Sequence, residues 1–145
     1  MTRISWETHL DIELQPVTPH DLVQLEEAWG ITLPAEYKEL VTAYQGMAPM
    51  PDIFDVGKSD NVFNVLLTVN RHEGHASYSV KRAYEVLKPL VPKGIFPFAK
   101  TPGGEFICFD YRNHPLPPKI VLVTVQASIH PIADNLTAFL NSLHD

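Results

Sequence analysis

The sequence contains a single cysteine, Cys108, among its 145 residues. A lone cysteine excludes an internal disulfide bond and a zinc site built from several cysteines, and it is consistent with a reducing compartment. Long apolar runs are also missing. The longest runs are short, such as residues 120–123, whereas a membrane-spanning helix needs about 20 apolar residues. The amino-terminal residues lack the apolar segment of a secretory signal peptide. We therefore expect a cytoplasmic protein that does not bind a membrane.

Positive charge is scarce in the first part of the chain. Residues 1–60 carry eleven aspartates and glutamates against three lysines and arginines, a net charge of −8, whereas the remainder carries +2, which gives −6 for the whole chain. Because nucleic acids repel an acidic protein, we expect no nucleic-acid partner. The acidic residues either form a solvated surface without a partner or a negative face that attracts a basic protein.

The composition is that of one globular domain. Hydrophobic residues make up 45% of the chain and charged residues 19%, which is too apolar for a disordered protein. A chain of this length buries roughly 70% of its extended surface, so a core can form without a disulfide or a metal. Because no internal repeat or low-complexity segment interrupts the sequence, we expect a single domain over residues 1–145.

Apolar spacing, proline and glycine predict four helices. The first begins with a capping box formed by Thr18 and Asp21 and ends at Gly30. The second begins at Pro34 and ends at Gly46, so the two helices form an α-turn-α pair. Two further helices are predicted over residues 76–87 and from about residue 133 onwards.

Strands are predicted over residues 53–56, 62–69, 95–99, 105–109 and 119–125, with a loop over most of residues 47–61. Pro97 indicates an edge strand or a bulge, and the turn at residues 102–104 indicates an antiparallel hairpin. The pattern predicts an α+β fold: a mainly antiparallel sheet of about four to six strands with helices packed against it. The predicted core includes Trp29, Tyr37, Leu40, Phe106, Cys108, Val121, Val123, Phe139 and Leu140.

The usual sequence signatures of catalysis and metal binding are missing. The chain has no phosphate-binding loop, dinucleotide-binding fingerprint or nucleophile elbow. His72 and His75 are three residues apart with Gly74 between them, whereas a zincin helix places its histidines four apart, so a polar loop is favoured over a metal site. Cys108 lies in the most apolar strand, where a thiol is buried and unreactive. We predict no catalytic, cofactor-binding or metal-binding residues.

Asp110 allows two interpretations. It follows an apolar strand, where an aspartate commonly accepts hydrogen bonds from the main chain of the next turn. Alternatively it is a catalytic acid whose site gathers His114 or His130 from elsewhere in the chain. No second carboxylate or histidine stands beside it in sequence, which favours the capping role.

One segment resembles a known family. The pattern Leu-Glu-x-x-Trp-Gly-Ile-x-Leu-Pro-x-x-Tyr-Lys over residues 25–38 is similar to the opening of the SMI1/KNR4 family, also called the SUKH superfamily. The hairpin over residues 97–110, the strand over 119–125 and the last helix continue the resemblance, which covers about residues 18–143. Gln45 and Glu105 stand where the family more often has Asn and Asp. The matching positions, interpreted as structural, are Trp29, Gly30, Leu33, Pro34, Tyr37, Gly46, Phe98, Gly104 and Asp110.

The resemblance implies a non-enzymatic protein-binding domain. Most bacterial members resemble immunity proteins that bind and neutralise a polymorphic toxin, often a nuclease, and the compact chain favours this type. Eukaryotic members are regulatory interaction proteins, so a regulatory or scaffold module is the alternative. A small ligand-binding or enzymatic domain with a site near Asp110 is a lesser alternative.

A basic toxin would be attracted to the acidic part of the chain. A nuclease must bind phosphate groups, so its active face tends to be basic and complementary to an acidic inhibitor. We expect the helical carboxylates of residues 21–39 to face solvent, opposite the apolar stripes. The predicted partner-binding residues are Glu26, Glu27, Asp52, Asp55 and Asp60.

Overall fold

The computed structural model describes residues 4–9, 15–70, 78–112 and 116–145, so His72, His75 and His114 lie outside the described residues. Within these ranges the helices are α1 (Pro19–Trp29), α2 (Ala35–Tyr44), α3 (Val80–Leu87) and α4 (Leu136–Asn141). The strands are β1 (Ser5–Thr8), β2 (Met47–Met50), β3 (Ile53–Val56), β4 (Ser59–Val62), β5 (Val65–Leu66), β6 (Ile95–Lys100), β7 (Phe106–Asp110), β8 (Lys119–Val123) and β9 (Ile129–Ala133).

A five-stranded antiparallel sheet with the order β5-β6-β7-β8-β9 forms the centre of the fold. Two small antiparallel pairs, β1 with β2 and β3 with β4, accompany it. The predicted α+β class and the central position of β7 are confirmed. β6 pairs with β7 along its length and with β5 at Ala99 and Lys100, and its register with β7 shifts between Pro97 and Ala99, so the bulge interpretation of Pro97 is right.

The start and the end of α1 follow the sequence signals. Asp21 N donates to Thr18 Oγ1 at 3.2 Å and Thr18 N donates to Asp21 Oδ2 at 2.9 Å, which completes the predicted capping box. Gly30 takes a φ of 70°, a left-handed conformation that favours glycine and ends the helix. α2 begins at Ala35, one residue later than predicted, and Pro34 occupies the position before its first residue. The α-turn-α pair is therefore confirmed.

The predicted strand over residues 62–69 is divided because the chain changes partners there. Up to Val62 it pairs with β3, whereas Asn64 N donates to Lys100 O at 2.9 Å and β5 pairs with β6. The last two helices begin later than predicted. Ser79 caps α3, and Asn135 caps α4 by accepting a 2.8 Å hydrogen bond from Ala138 N. The strands β1, β2, β4 and β9 were not predicted.

Aromatic rings form much of the core between the sheet and the helices. Phe98 stacks on Phe109 with 4.3 Å between ring centroids, and Tyr37 meets Phe109 edge-on at 5.1 Å. Leu40 and Phe106, both predicted to be buried, are only partly buried. Leu40 lies beside the stripe that buries Tyr37 and Val41, and Phe106 is the first residue of β7, at the end of the sheet. The other predicted core residues are buried.

The opposite face of the sheet carries a smaller apolar cluster that includes Cys108. Its buried members are Leu87, Ile95, Cys108, Val121 and Val123. Burial, and to a lesser degree the charge of Asp110, raises the pKa of the Cys108 thiol well above its usual range. The prediction of a buried thiol is confirmed, and the sheet is covered on both faces as the apolar strand indicated.

Candidate protein-binding surface

The predicted partner-binding residues lie on separate elements. Glu26 and Glu27 belong to α1, Asp52 directly precedes β3, and Asp55 and Asp60 lie in β3 and β4. Glu27, Asp55 and Asp60 are exposed, whereas Glu26 and Asp52 are partly buried. The five carboxylates therefore form two groups: a pair on α1 and three at the β3–β4 hairpin.

Glu26 stabilises the turn between α1 and α2. Its Oε2 atom accepts a 2.7 Å hydrogen bond from Leu33 N and lies 3.2 Å from Lys38 Nζ. The side chain is only 20% exposed, contrary to the expectation that the helical carboxylates face solvent. Glu36 also departs from that expectation, because its Oε2 accepts a hydrogen bond from Thr137 Oγ1 at 2.7 Å and its Oε1 is buried. These two carboxylates hold structural contacts.

Asp55 and Asp60 lie opposite each other in the β3–β4 hairpin. His144 joins this hairpin from the carboxy terminus: its Nε2 atom lies 3.2 Å from Asp55 Oδ1, and its main chain pairs with Ile53. The pKa of His144 is raised, first by its contact with the Asp145 main-chain oxygen and then by Asp55 and Asp60. A protonated His144 offsets the repulsion between the two aspartates.

A shallow, open groove of about 620 Å³ lies between α1, the turn that follows it and the segment after β7. Its lining includes Val23, Glu26, Glu27, Ile31, Tyr111 and Leu116. Two predicted partner-binding residues therefore lie beside exposed apolar side chains. The sequence contained one signal for this groove, since Val23 falls outside the apolar stripe of α1. Tyr111 and Leu116 come from a distant part of the chain and gave no such signal.

Tyr111 fixes one wall of the groove. Its hydroxyl donates to Thr32 O at 2.7 Å, and its ring meets Phe96 edge-on with 5.9 Å between centroids. Burial, with a smaller contribution from the charge of Glu26, raises the pKa of Tyr111. The phenol therefore stays neutral and keeps its proton for this hydrogen bond.

Asp110 has the contacts of a capping residue. Its Oδ1 accepts from Arg112 N and Arg112 Nε, both at 3.0 Å, and its Oδ2 accepts from Arg112 Nη2 at 2.9 Å. Burial alone would raise the pKa of Asp110, but the hydrogen bonds from Arg112 and the charges of Arg112 and Lys119 lower it. Such a carboxyl is a poor proton donor. His130 lies opposite Leu122 whereas Asp110 lies opposite Lys119, so the sheet keeps these two apart.

The described residues contain no group of three or more histidines, cysteines and acids placed to hold a metal ion. The His72–His75 motif lies outside them. Within the same part of the chain, no helix has the length and apolarity needed to cross a membrane.

Most residues that carry the family resemblance are buried or lie at positions of positive φ. Trp29 stacks on Phe96 at 4.8 Å, and the buried members of the set are Trp29, Leu33, Tyr37, Gly46 and Phe98. The glycines of the set have positive φ angles: Gly30, Gly46 and Gly104. Gln45, which replaces the family's Asn, is buried; its Nε2 donates to Gln15 O at 2.9 Å and its Oε1 accepts from Val69 N at 3.0 Å.

The chain matches the model of a known protein family. Residues 16–142 match the family model described as the SMI1 / KNR4 family (SUKH-1), and this span contains α1 to α4 and β2 to β9. No curated protein matches the chain. The family match supports a general role as a protein-interaction module. Because the match covers most of its length, the chain belongs to the SMI1/KNR4 (SUKH-1) family.

Proposed function

We propose that this protein is a non-enzymatic immunity protein that acts in the cytoplasm by binding and neutralising a basic toxin domain. The observation that carries the proposal is the set of exposed carboxylates at Glu27, Asp55 and Asp60 on a domain of an interaction family. They belong to the acidic part of the chain, where residues 1–60 have a net charge of −8.

Charge complementarity gives these carboxylates a function in binding. Exposed charges of one sign steer a partner of the opposite sign into contact and raise the association rate, while they add less to the final affinity. A toxin that cleaves nucleic acid carries a basic face for its substrate. An acidic inhibitor that covers this face blocks the substrate without any catalytic residue of its own.

Co-expression with the product of the neighbouring gene tests the proposal. We expect this protein to restore the growth of cells that produce the neighbouring protein, and to purify with it in a fixed stoichiometry. Binding without rescue of growth would instead indicate a regulatory or scaffold module. The absence of both rescue and binding would contradict the immunity function.

Association kinetics test the role of the carboxylates. The triple change Glu27→Lys, Asp55→Lys and Asp60→Lys should slow association, because it removes charges that attract a basic partner. It should also weaken the salt dependence of the association rate. In the wild type this rate should fall as salt is added, because the Debye length falls from about 10 Å at 0.1 M to about 3 Å at 1 M salt. Glu39→Lys reverses one exposed helical carboxylate outside this set, and as the control it should change the association rate less than the triple change does. Unchanged association by the triple variant would show that these carboxylates serve only solubility.

A further inference from the structure

We propose that the groove beside α1 binds a partner segment in which an apolar side chain is flanked by lysine or arginine. The inference rests on the proposed function only in assuming a protein partner, and it names the contact surface and its chemistry. The groove combines an apolar rim, a free carboxylate and a fixed wall, and each of these features favours such a segment.

The rim of the groove is apolar and open to solvent. Val23 on α1 is 48% exposed and Leu116 is 55% exposed, and both line the groove together with the partly buried Ile31. Gly30, also in the lining, has no Cβ and leaves the main chain of the turn open. An apolar side chain that enters here would remove the rim from water, which is favourable by roughly 25 cal/mol for each Å² buried.

Glu27 supplies the negative charge. It lies one helical turn after Val23, so the two side chains project from neighbouring positions on the same face of α1. Among the described residues, no hydrogen bond or ion pair engages its carboxylate. Glu26, in contrast, is held by Leu33 N and Lys38. A lysine or arginine of the partner can therefore pair with Glu27 without breaking an existing contact.

Two hydrogen bonds hold the wall that Tyr111 and the turn after α1 form, before any partner binds. The hydrogen bond from Tyr111 to Thr32 O joins the segment after β7 to the turn after α1. The hydrogen bond from Leu33 N to Glu26 Oε2 closes that turn from the other side. A preformed groove loses little conformational freedom on binding, which favours affinity for a short segment.

The charge and the size of the groove select the occupant. A nucleic acid or an acidic peptide would bring negative charge towards Glu27 and Glu26, whereas a basic segment neutralises it. The volume of about 620 Å³ lies within the range of roughly 300–1,000 Å³ that is usual for ligand pockets, and it accommodates a short peptide segment. We therefore infer a segment with an apolar centre and basic flanks.

Peptide titration of the full chain, followed by methyl NMR spectra, tests this inference without the toxin. The probe is acetyl-Lys-Arg-Leu-Leu-Arg-Lys-amide, and the control peptides replace both leucines by serine or all four basic residues by glutamate. We expect the probe alone to shift the methyl signals of Val23, Ile31 and Leu116. Equal binding of the serine peptide would reduce the contact to general charge attraction and overturn the inference.

Matched variants locate the binding. Glu27→Lys and Val23→Asn should each weaken binding of the probe at least about tenfold, because each removes one half of the recognition. The controls are Glu39→Lys, a glutamate outside the groove, and Val86→Asn on α3, whose side chain is 47% exposed and does not line the groove. Equal losses in the control variants, or shifts confined to the β3–β4 hairpin, would contradict the groove as the site.

The outcome is separable from that of the proposed function. Suppose that the neighbouring protein binds the Glu27→Lys and Val23→Asn variants with unchanged affinity, and that the peptide does not bind the wild type. The groove is then not the contact surface, although the immunity function stands. If the peptide binds as expected and no toxin is neutralised, the groove stands and the immunity function fails.

Discussion

The hydroxyl of Tyr111 donates a 2.7 Å hydrogen bond to the main-chain oxygen of Thr32, seventy-nine residues earlier in the chain. This bond connects the end of β7 to the turn between α1 and α2. Tyr111→Phe removes it and leaves Thr32 O without this donor. We expect the free energy of unfolding to fall by about 0.5–1.5 kcal/mol, measured by denaturant titration. An unchanged value would show that the hydrogen bond does not hold the turn.

Tyr37→Phe is the matched control for that experiment. The Tyr37 hydroxyl is buried and has no hydrogen-bond partner among the described residues, and its burial, followed by the effect of Tyr111, raises its pKa. Removing an unpartnered buried hydroxyl removes its desolvation cost, so the variant should be as stable as the wild type or more stable. A loss above about 1 kcal/mol would reveal a partner such as a buried water.

Phe139 links α4 to the aromatic core. Its ring lies 5.4 Å from Phe54, 6.0 Å from Phe63 and 6.3 Å from Phe98, centroid to centroid. Phe139→Ala should lower the free energy of unfolding by about 3–5 kcal/mol, because it leaves a cavity among rings that cannot collapse to fill it. The exposed Val125 provides the control: Val125→Ala should change stability by no more than about 0.5 kcal/mol. A cost below about 1 kcal/mol at Phe139 would contradict the packing of α4.

The buried Cys108 thiol should react slowly with a thiol reagent in the native protein and quickly after unfolding in denaturant. Its raised pKa keeps it protonated, and its burial in the smaller apolar cluster excludes the reagent. The labelling rate, followed by absorbance with and without denaturant, measures the difference. Rapid labelling of the native state would overturn the core assignment.

Protonation of His144 should stabilise the β3–β4 hairpin. Because the folded-state pKa of His144 is raised above its ordinary value of 6.5, the contribution is complete below that value and is lost as the pH rises through the folded pKa. We expect Asp55→Asn to lower the pKa of His144 in an NMR titration, and Asp60→Asn to lower it by less. The destabilisation caused by Asp55→Asn should be greater at about pH 5–6 than at pH 8.

A pKa of His144 that is the same in both variants as in the wild type would show that the two aspartates do not influence it. Glu39→Gln, which removes an exposed carboxylate of α2, should leave the pKa unchanged and serves as the control.

The helices were predictable because their signals are local. The capping box of Thr18 and Asp21 and the left-handed Gly30 are decided by residues within one turn, and the structure places α1 as expected. The strands that were not predicted depend on distant partners. Trp6 in β1 stacks on Tyr44 at 5.0 Å, and β1 pairs with β2, so neither strand is defined by its own sequence.

The candidate surface was predictable only in its charge. Glu26 and Glu27 both lie between apolar positions of α1, yet only Glu27 is exposed, because Glu26 contacts Leu33 N and Lys38. The contact of Asp55 with His144, and the position of Tyr111 and Leu116 beside Val23, depend on how the chain returns over long sequence separations. Periodicity contains no information about such returns, which is why the groove emerged only from the structure.

The strand β1 lies before residue 16, where the family match begins, and it pairs with β2. Without β1, the main-chain groups of β2 that point to that side would face water unpaired, beside the side chains of Met47 and Met50. Such an edge invites strand pairing between molecules and aggregation. β1 covers it and presents Ser5, Glu7 and Thr8 outward, all exposed. The extra strand therefore places polar side chains and one negative charge where β2 alone would leave an unpaired main chain beside two methionines.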